Sequence, residues 1–145
     1  MGDSTLVARV LLVEDYEPFR RLVREKLQTR PELEVVGEAT DGEQAVQKAE
    51  ELQPDLIVLD IGLPKLNGIE AAHRISKLLP STTILFLSQN DDADIVEAAL
   101  SNGAKGYVLK LDTEHELLPA VGAVLRGERF ASRGIAQRSA GLSLD

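Results

Sequence analysis

Four short apolar runs, each closing on a polar group, constrain this chain most. Val10-Leu-Leu-Val13 runs into Glu14 and Asp15, and Leu56-Ile-Val-Leu59 into Asp60. Thr83-Ile-Leu-Phe-Leu87 runs into Ser88, and Tyr107-Val-Leu109 into Lys110. Apolar runs without alternation belong to parallel strands covered on both faces. The carboxyl ends of such strands share one edge of the sheet, so residues scattered over about a hundred positions become neighbours, at the edge where open α/β sheets bind ligands. Three carboxylates, a hydroxyl and an ammonium gathered there point to a phosphoryl site holding a divalent metal.

Helical spacing fills the gaps between the runs. Phe19, Leu22, Val23 and Leu27 follow Pro18, which suits a first helical turn. A second strand, Glu34 to Ala39, leads to Thr40-Asp41-Gly42, where Thr40 or Asp41 caps a helix carrying Ala45, Val46, Ala49 and Leu52. Pro54 stops that helix. The loop from Ile61 to Gly68, whose course the Leu63-Pro64 bond should set, precedes a helix on Ile69, Ala72, Ile75 and Leu79. Ser88 to Asp92 can cap a short helix that stops at Asn102-Gly103. Asp112-Thr113 starts a last helix with Leu117, Leu118, Val121 and Leu125. Strands alternating with helices predict an α/β fold, a parallel sheet of five strands with helices on both faces.

One domain is expected over residues 8–126, with 127–145 a linker or tail. Beyond Gly127 the pattern fades into Gly and Ser, and Arg126, Arg129, Arg133 and Arg138 make the stretch locally basic. A net charge of −8 makes the chain a poor DNA binder by itself. Zero cysteines exclude disulfides and thiol catalysis. Neither a signal peptide nor a membrane-length apolar run is evident, and a cytoplasmic location is expected.

Glu14, Asp15 and Asp60 would put up to three negative charges in one pocket. Two carboxylates ~4 Å apart repel by roughly 4 kcal/mol at an effective dielectric near 20, more than Lys110 alone offsets. Mg2+ suits such a site, since it takes one or two carboxylates plus waters and phosphate oxygens. Asp15 and Asp60 are the expected direct ligands, Glu14 acts directly or through water, and the Gly62 carbonyl is a candidate third protein ligand. Asp60 is the candidate nucleophile, because an ionised carboxylate needs no general base. Lys110 and the Ser88 hydroxyl would hold phosphoryl oxygens.

In this order and spacing, Leu11-Leu-Val-Glu-Asp15, Asp60-Ile-Gly-Leu-Pro64 with Asn67-Gly68, Ser88, and Gly103-Ala-Lys-Gly-Tyr-Val-Leu-Lys110 resemble the receiver domain of bacterial two-component response regulators. The resemblance spans roughly Ala8 to Arg126. It implies a flavodoxin-like, doubly wound sheet of order 2-1-3-4-5. It also implies phosphorylation of Asp60 by a sensor histidine kinase and slow self-dephosphorylation, without turnover of other substrates. Tyr107 would be the switch aromatic, turning inward as Ser88 moves toward the phosphoryl group. Glu116 to Phe130 looks like the last helix and linker of regulators with a C-terminal helix-turn-helix output of the LuxR/NarL kind. DNA would then be reached only through an output domain that does not follow in these 145 residues, and a homodimer on phosphorylation is compatible with the resemblance. A single-domain receiver acting on a partner protein is the alternative.

Two rivals are weaker. Haloacid-dehalogenase-like phosphatases use a second Asp two positions after the nucleophile, where this chain has Gly62. Flavin or nucleotide sites on such sheets want a Gly/Ser/Thr-rich loop after the first strand, where this chain has Val13-Glu-Asp-Tyr-Glu-Pro18. Gln89 beside Ser88 and the bare Gly62 are expected to alter phosphoryl transfer or hydrolysis rates. Lys65 is expected to be a solvated loop charge, and His73 and His115 surface residues.

Overall fold

The computed structural model describes residues 7–135. Each expected strand forms where its apolar run lies: β1 Ala8–Val13, β2 Leu33–Ala39, β3 Leu56–Leu59, β4 Thr83–Ser88 and β5 Gly106–Leu109. Between them stand α1 Glu17–Gln28, α2 Gly42–Leu52, α3 Gly68–Leu78 and α4 Ala93–Ser101, and α5 Thr113–Leu125 follows a 3-10 turn over Lys110–Asp112.

All neighbouring strands are parallel. The sheet has six strands rather than five, in the order β2-β1-β3-β4-β5-β6. The sixth, β6 Phe130–Ala131, arises in the stretch expected to be linker and pairs with the open edge of β5. Arg138 and the remainder of that stretch from residue 136 lie outside the described residues.

The unbroken runs divide between two cores because successive side chains of a strand point to opposite faces. Leu11, Val13, Ile57, Leu59, Ile84 and Phe86 pack on one face with α2 and α3 residues such as Ala45 and Ile75. Val10, Leu12, Leu56, Val58, Leu85 and Leu87 pack on the other with Val23 and Leu27 of α1 and Leu117 and Val121 of α5. Burial on both faces is what such runs require.

Helix starts follow local chemistry. Pro18 occupies the first turn of α1. The side chains of Asp41, Asn67 and Asp92 accept hydrogen bonds from the N–H groups of Gln44, Glu70 and Asp94 at the starts of α2, α3 and α4. Gly103, at φ +102°, follows α4 where a left-handed residue was expected.

The loop after Asp60 is pinned at both ends. The Gly68 N–H donates to the Ile61 carbonyl at 2.7 Å, and the Gly42 N–H donates to the Pro64 carbonyl at 3.2 Å. Lys65 takes φ +68° within it. Its ammonium, itself exposed, stands 3.7 Å from Oδ2 of the buried Asp41. Left-handed backbone costs an L-residue about 1 kcal/mol, so Lys65→Gly is expected to stabilise the protein by ~0.5 kcal/mol despite the freer unfolded chain. A urea midpoint that fails to rise would show that the loop carries no such strain.

Candidate functional site

Glu14, Asp15, Asp60, Ser88 and Lys110 all line one cavity of about 320 Å³ at the carboxyl edge of the sheet. Gly62, Gln89 and Asn90 complete its wall. The Asp60 N–H donates to the Val13 carbonyl at 3.1 Å, tying the end of β3 to β1. Asp60 Oδ1 accepts from the Ile61 N–H at 2.7 Å. Glu14 Oε2 accepts from the Tyr16 N–H at 2.9 Å. Lys110 Nζ lies 2.8 Å from Glu14 Oε1 and 3.3 Å from Asp60 Oδ2, with the Phe19 ring 4.7 Å beneath it.

Glu14, Asp15 and Asp60 each bring a carboxylate oxygen within 4.8 Å of the others. An octahedral ion binding at about 2.1 Å needs such oxygens roughly 3 to 4 Å apart, so modest closure makes this all-oxygen set fit Mg2+. Asp15 is exposed at the cavity mouth, whereas Glu14 and Asp60 are buried.

An ordinary ion pair lowers the acid and raises the base, but here both partners go up. Burial pushes the Glu14 carboxyl above its ordinary value, and the charge of Asp60 adds to this against the hydrogen bonds from Lys110 and Tyr16. Burial pushes Lys110 down, but its hydrogen bond to Glu14 and the charges of Asp60 and Glu14 outweigh it, so the ammonium is favoured. Burial, with the nearby Asp60 charge adding to it, disfavours ionised Glu14 even beside a lysine. With its folded pKa raised, Glu14 contributes stability that is full below the ordinary value of 4.5 and lost as pH rises through the raised one. Glu14→Gln is therefore expected to raise the denaturation midpoint in EDTA at pH 7 to 8, the gain vanishing in acid. Added Mg2+ should stabilise the parent more than the variant. An unchanged midpoint at neutral pH would contradict the cost of burying an ionised Glu14.

Ser88 Oγ accepts from the Asn90 N–H at 3.1 Å, leaving its own proton to donate. Tyr107 is fully buried and tilted against Phe86, and its hydroxyl donates to the Asn90 carbonyl at 2.6 Å. Burial raises the Tyr107 hydroxyl pKa, Ser88 opposes this, and Asp60 and Asp91 reinforce it. The ring thus occupies the inward position, tied to the segment after Ser88.

A Cβ on Gly62 would meet nothing within 4 Å, so that side of the cavity is open. Neither histidine reaches the cavity.

Sequence reasoning missed a brace behind Glu14. Arg20 Nη1 donates to the Glu14 carbonyl at 3.0 Å, while its Nε pairs with Glu38 at 2.8 Å. Arg24 pairs with the other Glu38 oxygen at 2.8 Å. Burial would raise the Glu38 carboxyl, but the two guanidinium groups outweigh it and hold it low. Glu38 near the end of the second strand, with Arg20 and Arg24 one helical turn apart on the preceding helix, was the available signal.

A doubly wound parallel sheet with an acidic, lysine-bearing cavity at its carboxyl edge places the chain among α/β domains whose candidate ligand site lies at that edge. The model of the response regulator receiver domain matches residues 10–122, and the chain belongs to that family. It is 39% identical over 122 residues to the transcriptional regulatory protein DegU of Brevibacillus brevis, covering 84% of this chain and 52% of that protein. It is 37% identical over 129 residues to the nitrate/nitrite response regulator protein NarL of Escherichia coli K12, covering 88% and 59%. The chain spans a little over half the length of these relatives. A crystal structure of a LuxR-family two-component response regulator from Aurantimonas sp. SI85-9A1 superposes with a TM-score of 0.91 at 34% identity, covering 96% of this chain and 99% of that one.

Proposed function

We propose that this domain is the phosphoacceptor of a two-component system and that Asp60 carries the phosphoryl group. The convergence of Asp60, Lys110, Ser88 and two further acids on one cavity supports this reading above all. With Oδ1 held by the Ile61 N–H, Oδ2 beside Lys110 is free to form the P–O bond. The P–N bond to a sensor kinase histidine breaks as it forms, and the imidazole leaves. Glu14, Asp15, Asp60 and the Gly62 carbonyl would hold Mg2+, which when bound neutralises the acids and the developing phosphoryl charge. Lys110 exchanges its contact with Glu14 for a phosphoryl oxygen, and Ser88 donates to another. The acyl phosphate then draws Ser88 inward and alters the surface around Tyr107 and Asn90.

The domain catalyses only its own phosphorylation and dephosphorylation, since Gly62 offers no general acid for turnover. The name of DegU, a transcriptional regulatory protein, favours transcription as the output; to that reading belong a DNA-binding output domain, a homodimer on phosphorylation and a cytoplasmic location. Among the described residues, no helix is long and apolar enough to cross a membrane. Incubation with acetyl phosphate and Mg2+ is expected to add one phosphoryl group, read by intact mass and lost in EDTA. Failure to incorporate any would overturn the proposal, and sustained phosphate release from p-nitrophenyl phosphate would instead favour a phosphatase.

A further inference from the structure

The sixth strand leaves a polar residue where packing alone asks for alanine. Ser132 is fully buried, directly after β6. Its N–H donates to the Tyr107 carbonyl at 2.9 Å, and its Oγ accepts from the Leu109 N–H at 2.8 Å. The Phe130 N–H reaches the Lys105 carbonyl at 3.2 Å. Beyond Ser132 the chain turns helical over the last described residues, 133–135, so no further strand carbonyl continues the ladder along β5. The serine hydroxyl replaces that carbonyl for the last N–H of the strand. Burying a hydroxyl is unfavourable unless it makes such a bond.

The bond falls at a sensitive place. Leu109 directly precedes Lys110, whose carbonyl accepts from Thr113 Oγ1 at 2.7 Å. The backbone around Lys110 is therefore held on one side by α5 and on the other by Ser132. Leu109 is also the register partner of Ser88 across β4 and β5, and Tyr107 is the partner of Ala131 across β5 and β6. Ile135 packs in the same core layer as Tyr107, Phe86 and Val96. The Arg133 N–H donates to Glu116 Oε2 on α5 at 3.2 Å, which secures the chain as it leaves the sheet.

We propose that Ser132 is a positioning residue of the phosphoryl site. It fixes the end of β5 so that Lys110 meets Asp60, and it ties that site to the segment that follows β6. A displacement of Ser88 toward a phosphoryl group passes to Leu109 and from there to Ser132. The coupling to phosphorylation rests on the proposed role of Asp60, whereas the hold on Leu109 does not.

Ser132→Ala and Ser132→Thr decide the matter by amide exchange and by acetyl phosphate labelling at saturating Mg2+. In Ser132→Ala, exchange of the Leu109 and Lys110 amides is expected to accelerate at least ~10-fold, because a buried donor loses its acceptor. The maximal labelling rate per folded molecule should fall about threefold or more with little change in half-saturating donor, the pattern of a displaced group rather than lost binding. Ser132→Thr, which keeps the hydroxyl, should recover both. If Ser132→Ala proves too unstable, Glu116→Ala loosens the same segment from α5, and faster Ser132 exchange with slower labelling is expected. Variants that label like the parent, with lowered stability alone, would reduce Ser132 to a packing element and overturn the proposal. If the parent takes no phosphoryl group, the role of Asp60 fails, while Leu109 exchange still decides whether Ser132 holds the strand.

Discussion

Asp60→Asn is expected to fold like the parent and to take no phosphoryl group from acetyl phosphate, a loss of at least ~100-fold that intact mass would register as complete. The substitution is nearly isosteric, and an amide oxygen can still accept from the Ile61 N–H that now reaches Asp60 Oδ1. What disappears is the anionic oxygen beside Lys110, 3.3 Å from its ammonium. No other carboxylate substitutes for it. Glu14 is already engaged by Lys110 and Tyr16, and Asp15 lies at the exposed mouth. Removing one acid from a crowded trio also relieves Glu14, whose carboxyl the Asp60 charge helps to raise. The variant should therefore be at least as stable as the parent without divalent metal and should gain less from adding Mg2+. Stoichiometric labelling of this variant would refute Asp60 as the nucleophile.

The convergence on Asp60 was legible because apolar runs buried on both faces stop abruptly where their strands stop. β3 begins and ends where its run does, β5 ends where its run does, and the polar residue following each run marks the edge. What escaped reading depends on partners that only the fold supplies. Phe130 and Ala131 form no apolar run and sit among Gly, Ser and Arg, so their pairing is dictated by the open edge of β5. Arg20 and Glu38 meet across 18 positions with no shared local pattern. The sequence weighed Lys110 as an insufficient counter-charge to the acids and otherwise assigned Glu14 to the metal and Lys110 to the phosphoryl group. The structure pairs the two at 2.8 Å, so under the proposed function a metal ion would compete with Lys110 for one carboxylate. On that proposal, filling the metal site would free the lysine for the incoming phosphoryl group, a linkage that residue types and spacing do not reveal.

Gly68→Ala should destabilise the protein by about 2 to 4 kcal/mol, although alanine ordinarily improves a helix. Gly68 opens α3, and no left-handed backbone is involved. The objection is spatial, since a Cβ there would run into the carbonyl oxygen of Asp60 and the Cα of Ile61. These are backbone atoms at the turn that carries Asp60, the proposed nucleophile, so no rotamer change relieves the overlap. Either α3 shifts away, straining the Gly68 N–H bond to the Ile61 carbonyl, or the Asp60 peptide moves. Both disturb the site, and misplacing a reacting group by about 1 Å can cost on the order of 100-fold in rate. Labelling per folded molecule should therefore fall along with stability. Gly62→Ala is the control, because its Cβ would meet nothing within 4 Å, and its stability should stay within about 0.5 kcal/mol of the parent. Urea denaturation of both variants checks the first expectation, and acetyl phosphate labelling of Gly68→Ala checks the second. Parent-like stability and labelling in Gly68→Ala would mean that α3 can retreat without moving Asp60, and that the close contact between them does not position the acceptor.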